Sequence, residues 1–219
     1  MKKSSTIILL TFITILGFES CTSKVSDSAD KKTLPILGNW HINEFEMEGQ
    51  TIKDTVFHEI GDFSFINQEN KEISKQTVSG KVYVADFFFT TCPTICPIMK
   101  TQMLRVYEKF KDEPDFLILS HTLDPVHDTA ELLKDYASKI GVEDDQTWHF
   151  LTGDQEKIFE IGQTKYLTTA MEDKSEPGGL LHSGAFVLVD QNGHIRGVYD
   201  GTKEDQVNRL MKDIPKLLE

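Results

Sequence analysis

The chain has 219 residues, 39% of them hydrophobic, which suits one globular domain with its own core and is too short for two full domains. It carries 35 acidic and 23 basic residues, for a formal net charge of -12, and its basic residues form no stripe beyond Lys2 and Lys3. That pattern excludes a nucleic-acid-binding footprint, whereas an acidic surface suits solubility and a cationic or protein partner.

The first 21 residues have the layout of a lipoprotein signal. A basic start is followed by a short apolar stretch and by small residues, as in a secretory signal, and the stretch is too short to predict a membrane span. Cys21 follows Ser20 and resembles the lipid-attachment site of bacterial lipoproteins, with Glu19 as an atypical neighbour. Cleavage before Cys21 would make it a lipidated first residue and a membrane anchor, whereas the alternative is a signal-peptide cysteine with no role.

A tether and an extension are predicted to follow the signal. Residues 22–33 are rich in Ser, Asp and Lys, which is typical of a flexible linker. Residues 35–58 mix aromatic and acidic side chains and predict irregular structure with one short hairpin around Glu48 and Gly49. The predicted domain organisation is a signal peptide over residues 1–21, a tether and N-terminal extension over 22–58, and one domain over 59–219.

A long apolar strand is the predicted centre of that domain. Residues 81–89 are apolar on both faces apart from Asp86, as expected for a strand covered on both sides. Residues 62–66 and 72–78 predict a strand and its return before it. After it, apolar side chains recur at helical spacing and predict a helix from about residue 95 to 111: Met99, Met103, Val106, Tyr107 and Phe110. We interpret the two methionines as core residues and not as a copper relay.

Two cysteines, Cys92 and Cys96, therefore lie at a strand-to-helix turn. With Thr94 as the helix cap, Pro97 falls at the third helical position, where proline is tolerated, and Cys96 falls in the first turn. Partial positive charge and free backbone N–H groups at a helix start favour thiolate over thiol. Two reactive sulfur atoms would then face one point.

The spacing of the cysteines predicts a metal site. Three residues separate them, whereas a thioredoxin-type redox site has two. Two thiolates that can open by a few ångström can hold a soft metal ion and still close to the roughly 3.8 Å Cβ separation of a disulfide. Because soft sulfur ligands select monovalent copper, and an imidazole is the usual third ligand, the turn predicts a copper site that needs one histidine.

Among seven histidines, His182 is the predicted third ligand. It closely precedes a strand predicted over residues 186–189; in thioredoxin-like folds the loop before this strand lies beside the cysteine turn and usually carries a proline, which is absent here. Residues 168–177 predict an acidic, mobile loop that moves His182 toward or away from the cysteines. The alternative is a histidine with purely structural hydrogen bonds.

The remaining pattern completes an α/β domain with a central sheet flanked by helices. Buried strands are predicted over residues 115–123 and 148–151, and a turn at Asn192 and Gly193 predicts a hairpin between strands over 186–189 and 194–199. Further helices are predicted over residues 129–140, 155–166 and 203–218.

Asp124, His127 and Asp128 offer an alternative cluster for a hard metal ion or for acid/base chemistry. Aspartates around a proline at a strand-to-helix turn usually cap helices and close turns, and we interpret these residues in that way. We interpret the isolated His41 and His58 as surface or packing residues.

These motifs in combination resemble the Sco/SenC family of copper-binding thioredoxin-fold proteins, from about Gly61 to the C-terminus. The segments similar to the family are residues 63–65, 80–81, 92–97, 123–129, 148–154, 182–183 and 188–190, with Gly193. The resemblance implies a thioredoxin-like fold with Cys92, Cys96 and His182 as copper ligands. The family's usual role is to deliver copper, or electrons for its target's cysteines, during assembly of the binuclear copper centre of cytochrome c oxidase. Residues 86–89 depart from the more usual Tyr-Phe-Gly-Tyr run.

The expected protein is thus a copper metallochaperone, lipid-anchored at Cys21 in the cell envelope with its domain outside the cytoplasm, facing the periplasm. Its expected partner is the copper-accepting subunit of cytochrome c oxidase. Three alternatives stay open. A thiol-disulfide oxidoreductase would use Cys92 and Cys96 without His182, and a peroxidase-like enzyme would add an arginine, for which Arg105 is the nearby candidate in sequence. A purely structural disulfide domain would do neither.

Overall fold

Seven strands form the central sheet of the computed structural model, which describes residues 33–47, 49–143 and 146–218. The chain forms one unit from Thr33 onward. The predicted signal peptide, and the tether up to residue 32, lie outside the described residues. Among the residues that are described, no helix is both long enough and apolar enough to cross a bilayer.

The strands and helices are numbered here in chain order. The strands are β1 (Trp40–Met47), β2 (Gln50–Phe57), β3 (Ser64–Asn67), β4 (Glu72–Ser74), β5 (Val82–Phe88), β6 (Phe116–Thr122), β7 (Trp148–Thr152), β8 (Ala170–Glu172), β9 (Leu180–His182), β10 (Ala185–Val189) and β11 (Ile195–Asp200). The helices are α1 (Lys75–Val78), α2 (Cys96–Phe110), α3 (Ala130–Lys139), α4 (Gln155–Glu160) and α5 (Glu204–Asp213).

The central sheet places three fully buried strands, β5, β6 and β7, next to one another. Its strand order is β11-β10-β5-β6-β7-β3-β4. Strands β5, β6 and β7 run parallel, and β10 runs antiparallel to β5. Every residue of β5 and β6 is buried because both faces of the sheet are covered, as their continuous apolar sequences predicted.

Helices cover the two faces of the sheet. Met99 and Met103 of α2 and Tyr136 of α3 line one small cavity with residues of β5, β6 and β7. On the other face, the Tyr166 ring packs 5.8 Å from Phe87. The predicted α/β class, with a central sheet flanked by helices, is confirmed, and the two methionines are core residues with at most 1% of their surface exposed.

Several local predictions differ from the structure. Residues 35–58 hold a regular hairpin of two eight-residue strands, β1 and β2, and not an irregular segment with a short turn. Only the first part of residues 72–78 returns as a strand, because Thr77 Oγ1 accepts a hydrogen bond from the Ser74 N–H and the chain turns into α1. The acidic loop over residues 168–177 contains β8, which pairs with β9.

Two predicted helices change type before they end. Helix α4 continues as a π-helix over Ile161–Lys165, and α5 continues as a 3-10 turn over Ile214–Lys216. The second change coincides with Pro215, which has no N–H to donate to the helical ladder. The predicted start of α3 is confirmed, because Thr129 Oγ1 accepts a hydrogen bond from the Leu132 N–H at 3.3 Å.

Candidate metal centre

The sheet brings Cys92, Cys96 and His182 together. Cys92 follows the carboxyl end of β5, and Cys96 is the first residue of α2. Strand β10 is antiparallel to β5, so it begins beside the carboxyl end of β5, and His182 ends β9 three residues earlier. The topology therefore places the segment before β10 against the cysteine turn.

The candidate ligand atoms form a tight, shielded group. One sulfur or nitrogen atom from each of the three residues lies within 4.8 Å of the others, and Cys96 Sγ is 3.3 Å from His182 Nε2. Each residue keeps between 6% and 8% of its surface exposed. Within the described ranges, this is the one group of three or more His, Cys, Asp and Glu side chains close enough to share a metal ion.

The helix start differs from the prediction in its cap. Ile95, not Thr94, is the N-cap of α2, and it makes no side-chain cap, while Pro97 occupies the second helical position. Thr94 Oγ1 instead lies 3.5 Å from Cys92 Sγ. Cys96 is in the first turn as predicted, where the backbone N–H groups of the helix carry partial positive charge.

The two thiols differ in proton affinity. Burial raises the pKa of Cys96 well above its ordinary value, and the neighbouring Cys92 sulfur raises it further. Burial acts in the same direction on Cys92, but hydrogen bonds from the side chains and backbone groups of Cys96 and Thr94 together hold the Cys92 pKa below its ordinary value. Cys92 is therefore the more readily ionised thiol, and Cys96 keeps its proton until a metal ion or a reaction displaces it.

His182 presents a lone pair to the cysteines. Its Nδ1 lies 3.2 Å from the Ser183 carbonyl oxygen, which can only accept, so Nδ1 carries the proton and Nε2 faces Cys96 Sγ unprotonated. Burial lowers the pKa of His182, which keeps the ring neutral. A neutral imidazole with a free Nε2 is the form in which histidine binds a metal ion.

A short hairpin, and not a free loop, holds His182. Its partner across the β8–β9 ladder is Ala170, and the Ser183 N–H donates to the Thr169 carbonyl at 3.1 Å. The Phe89 ring packs edge to face on the imidazole with centroids 6.0 Å apart. These contacts fix the direction of the histidine ring.

Asp128 ties down the loop that carries Cys92. It is fully buried and accepts hydrogen bonds from the Thr90 N–H at 3.0 Å, from the Thr90 hydroxyl, and from the Thr122 hydroxyl at 2.5 Å. Sequence reasoning assigned Asp128 to the cap of α3, a role that Thr129 fills. The sign of this role in the sequence is that Asp128 directly precedes Thr129, which is itself sufficient to cap the helix.

The structure gives less support to the alternative chemistries. The Asp124 backbone and side chain accept from the His127 N–H, which closes the predicted turn. Arg105 donates to Gln102 and to Asn208 of α5, both at 2.6 Å, so it links α2 to α5. The peroxidase alternative thereby loses the arginine on which it depended.

A family model described as SCO1/SenC matches residues 53–219. The chain is also similar to solved structures. A SCO1/SenC family lipoprotein from Bacillus anthracis str. Ames is 32% identical, with a TM-score of 0.67 over 74% of this chain and 96% of that chain. BsSco, a member of the Sco family of cytochrome c oxidase assembly proteins, is 31% identical, with a TM-score of 0.64 over 74% of this chain and 94% of that chain.

ScoI of Bradyrhizobium japonicum, solved with copper bound, is 23% identical, with a TM-score of 0.56 over 72% of this chain and 98% of that chain. At that identity the likeness is one of fold. Together with the strand order of the central sheet, these likenesses confirm the predicted thioredoxin-like fold.

Proposed function

Since the chain belongs to the SCO1/SenC family, we propose that it is a copper metallochaperone whose ligands are Cys92, Cys96 and His182. Its cargo serves the binuclear copper centre of cytochrome c oxidase, and its partner is the copper-accepting subunit of that enzyme. The observation that carries the proposal is the group of two sulfur atoms and one imidazole nitrogen within 4.8 Å of one another.

The chemistry of the group supports copper over harder cations. Two thiolates and one neutral imidazole are the soft and borderline ligands that monovalent copper prefers, and a three-ligand site leaves one side open to a receiving protein. Met99 and Met103 lie in the core below the site and contribute packing. Copper binding displaces the protons of both thiols, so the affinity rises with pH while they titrate.

The asymmetry of the thiols favours a second candidate function, a thiol-disulfide oxidoreductase. The Cys92 thiolate would attack a disulfide of a target protein, and one target sulfur would leave as a thiolate that takes up a proton. The Cys96 thiol would then lose its proton and displace the second target sulfur, leaving a Cys92–Cys96 disulfide and a reduced target. Both cysteines are free in this structure, as the reducing form requires.

The same proposal includes location. The domain is held by a lipid at Cys21 outside the cytoplasm, after removal of residues 1–20, with residues 22–58 as tether and extension before the domain over 59–219. The likeness to a protein named as a lipoprotein supports this arrangement.

An anaerobic copper(I) titration against a competing chelator tests the copper site. It uses the reduced chain beginning after Cys21, as wild type, His182→Ala and His127→Ala, the last being an exposed histidine at a neighbouring turn. We expect one tightly bound copper ion in the wild type and in His127→Ala, and an affinity at least about ten-fold lower in His182→Ala.

The outcome separates the two functions. Weak copper binding that is indifferent to His182, with dithiol reductase activity retained in the variant, would support the oxidoreductase. Binding that depends on His182 supports the metallochaperone.

A further inference from the structure

The β1–β2 hairpin exposes an unusual number of large apolar side chains. Five of the eleven such side chains exposed in the described residues lie on it. They are Trp40, Ile42, Phe45, Met47 and Phe57, with exposures from 39% to 62%. Every residue of β1 is exposed, so this strand is not packed against the domain.

The hairpin carries large apolar side chains on both of its faces, among polar and charged ones. Trp40 pairs with Phe57 and shares a face with Ile42 near the base, whereas Phe45 and Met47 point to the opposite face near the tip, because side chains alternate along a strand. A bilayer interface can contact apolar side chains on both faces of a hairpin that enters it.

The hairpin is joined to the end of the sheet that lies opposite the cysteines. We call the end at which β5 begins the tether end, and the end that carries Cys92 the cysteine end. The turn between β10 and β11 is at the tether end, since Val189 pairs with Tyr83 near the start of β5. Beside that turn, the Phe57 ring contacts His194 with centroids 6.1 Å apart.

The chain also enters the described structure at the tether end. The Leu37 N–H donates to the Ile195 carbonyl at 2.8 Å. Arg196 donates to the carbonyl oxygens of Leu34 and Pro35, and its guanidinium is 2.7 Å from the buried carboxylate of Asp190. This clamp fixes the point from which residues 22–33 lead back to Cys21.

The length of that segment sets an upper limit on the distance between the hairpin and an anchored lipid. The twelve residues 22–33 span at most about 40 Å when fully extended, and less in any other conformation. A lipid limits the distance of the domain from the bilayer and leaves its orientation free. Trp side chains such as that of Trp40 favour the interface between lipid and water, because the ring is apolar and its N–H is polar.

We propose that the β1–β2 hairpin rests in the interface of the bilayer that holds the Cys21 lipid, and that it turns the cysteine end of the domain away from the membrane. The inference rests on the proposed lipid anchor and is independent of copper binding. In this orientation the proposed copper site faces partners that extend above the lipid surface.

The charges of the hairpin define which lipids suit it. Lys53 is paired with Glu44 at 2.6 Å, and the Glu46 carboxylate accepts from the Thr51 hydroxyl at 3.2 Å. The acidic residues favour zwitterionic over anionic headgroups, because like charges repel at low ionic strength. Vesicles of phosphatidylcholine are therefore the appropriate probe.

The two tryptophans of the chain provide the readout. Trp40 is 62% exposed and Trp148 is 2% exposed, so a quencher in the lipid can reach the first and not the second. The full chain, lipidated during expression in a bacterial host, is reconstituted into phosphatidylcholine vesicles with or without bromine atoms on the upper acyl chains. Brominated vesicles should quench the emission of the wild type and should leave the Trp40→Phe variant unchanged.

Val126 offers a matched control at the cysteine end. It is 86% exposed and lies two residues before Asp128, which binds the loop of Cys92. In the double variant Trp40→Phe with Val126→Trp, the new indole should stay unquenched while the chain remains bound to vesicles. Copper affinity of Trp40→Phe should equal that of the wild type.

Three results would overturn the inference. One is a vesicle-bound chain whose Trp40 emission is the same with and without bromine, and another is equal quenching of the indole at position 126. The third is dimerisation of the chain in lipid-free solution, observed as a Trp40 emission that changes with protein concentration. That result would assign the hairpin to contact with a second copy. If the chain does not float with vesicles, it has no lipid anchor and the inference fails. The copper titration does not depend on the anchor, so its result is unaffected.

Discussion

Asp86 is a carboxyl group buried in the middle of the central sheet. Its Oδ1 accepts a hydrogen bond from the Ser120 hydroxyl at 2.5 Å, and that hydroxyl accepts from the Trp148 indole N–H at 2.9 Å. Burial raises the pKa of Asp86 from 3.8 to about 7, and the Ser120 bond opposes part of that rise. It lines the same small cavity as Cys96, so the group below the cysteines is an acid that holds its proton in weakly acidic solution.

The pH dependence of stability tests this environment. Between about pH 4 and pH 7 the unfolded chain releases the Asp86 proton while the folded chain keeps it, so this group lowers the free energy of unfolding as pH rises through that window. One pKa unit corresponds to about 1.4 kcal/mol, and the expected contribution is a few kcal/mol. Relative to wild type, Asp86→Asn should therefore gain stability from pH 4 to pH 7.

Urea unfolding of the reduced, copper-free chain across this pH range measures the difference. Asp62→Asn, whose carboxylate is 95% exposed, serves as the control and should follow the wild type. If Asp86→Asn and the wild type have the same pH slope, Asp86 is ionised in the folded state at neutral pH.

The β8–β9 hairpin sets the position of His182. Gly178 has a φ of +94°, and a Cβ placed there would lie 2.8 Å from the Phe89 ring that packs on His182. Gly179 has a φ of +77° and has nothing within 4 Å of an added Cβ. Comparing substitutions at Gly178 and Gly179 therefore separates the effect of backbone strain from the effect of displacing the Phe89 ring.

Both Gly178→Ala and Gly179→Ala should lose about 1–2 kcal/mol of stability from the positive φ. Gly178→Ala should lose more, and it alone should bind copper(I) more weakly, because Phe89 must move and the imidazole moves with it. Thermal unfolding and the chelator titration measure the two effects. Equal copper affinities in the two variants would show that the hairpin holds His182 without help from Phe89.

Copper loading links the site to the stability of the whole molecule. The proposed ligands come from a loop, a helix and a hairpin, and Cys96 is 86 residues from His182, so the unfolded chain holds no preformed site. A ligand that binds the folded state stabilises it by about 2.7 kcal/mol at a free concentration of one hundred times Kd. For a domain of this size that corresponds to a rise in Tm of roughly 5–10 °C.

Anaerobic thermal unfolding with and without copper(I) measures this rise in the reduced wild type. Cys96→Ser should abolish most of it, whereas Trp40→Phe, at the far end of the sheet, should retain it. An equal rise in Cys96→Ser would place the bound copper elsewhere.

Many elements could be predicted from local patterns because their physical causes are local. Continuous apolar runs predicted the buried strands β5 and β6, and the Asn192–Gly193 turn predicted the hairpin of β10 and β11. The missing detail came from competition between neighbouring groups. The Thr94 hydroxyl contacts Cys92 and does not cap the helix, and residues 170–172 of the predicted loop pair with β9, which no local pattern predicts.

The amino-acid sequence by itself predicted the α/β class and named Cys92, Cys96 and His182 as candidate metal ligands, because residue type, the spacing of the cysteines and the position of His182 before a strand limit which chemistry the turn can perform. Only the tertiary structure decided that the three side chains meet, that Nε2 is the atom facing Cys96, and that Asp128 holds the cysteine loop. It also placed the exposed hairpin at the end opposite the cysteines. These facts depend on the antiparallel pairing of β10 with β5. The two strands are far apart in the sequence, so local patterns do not predict that they pair.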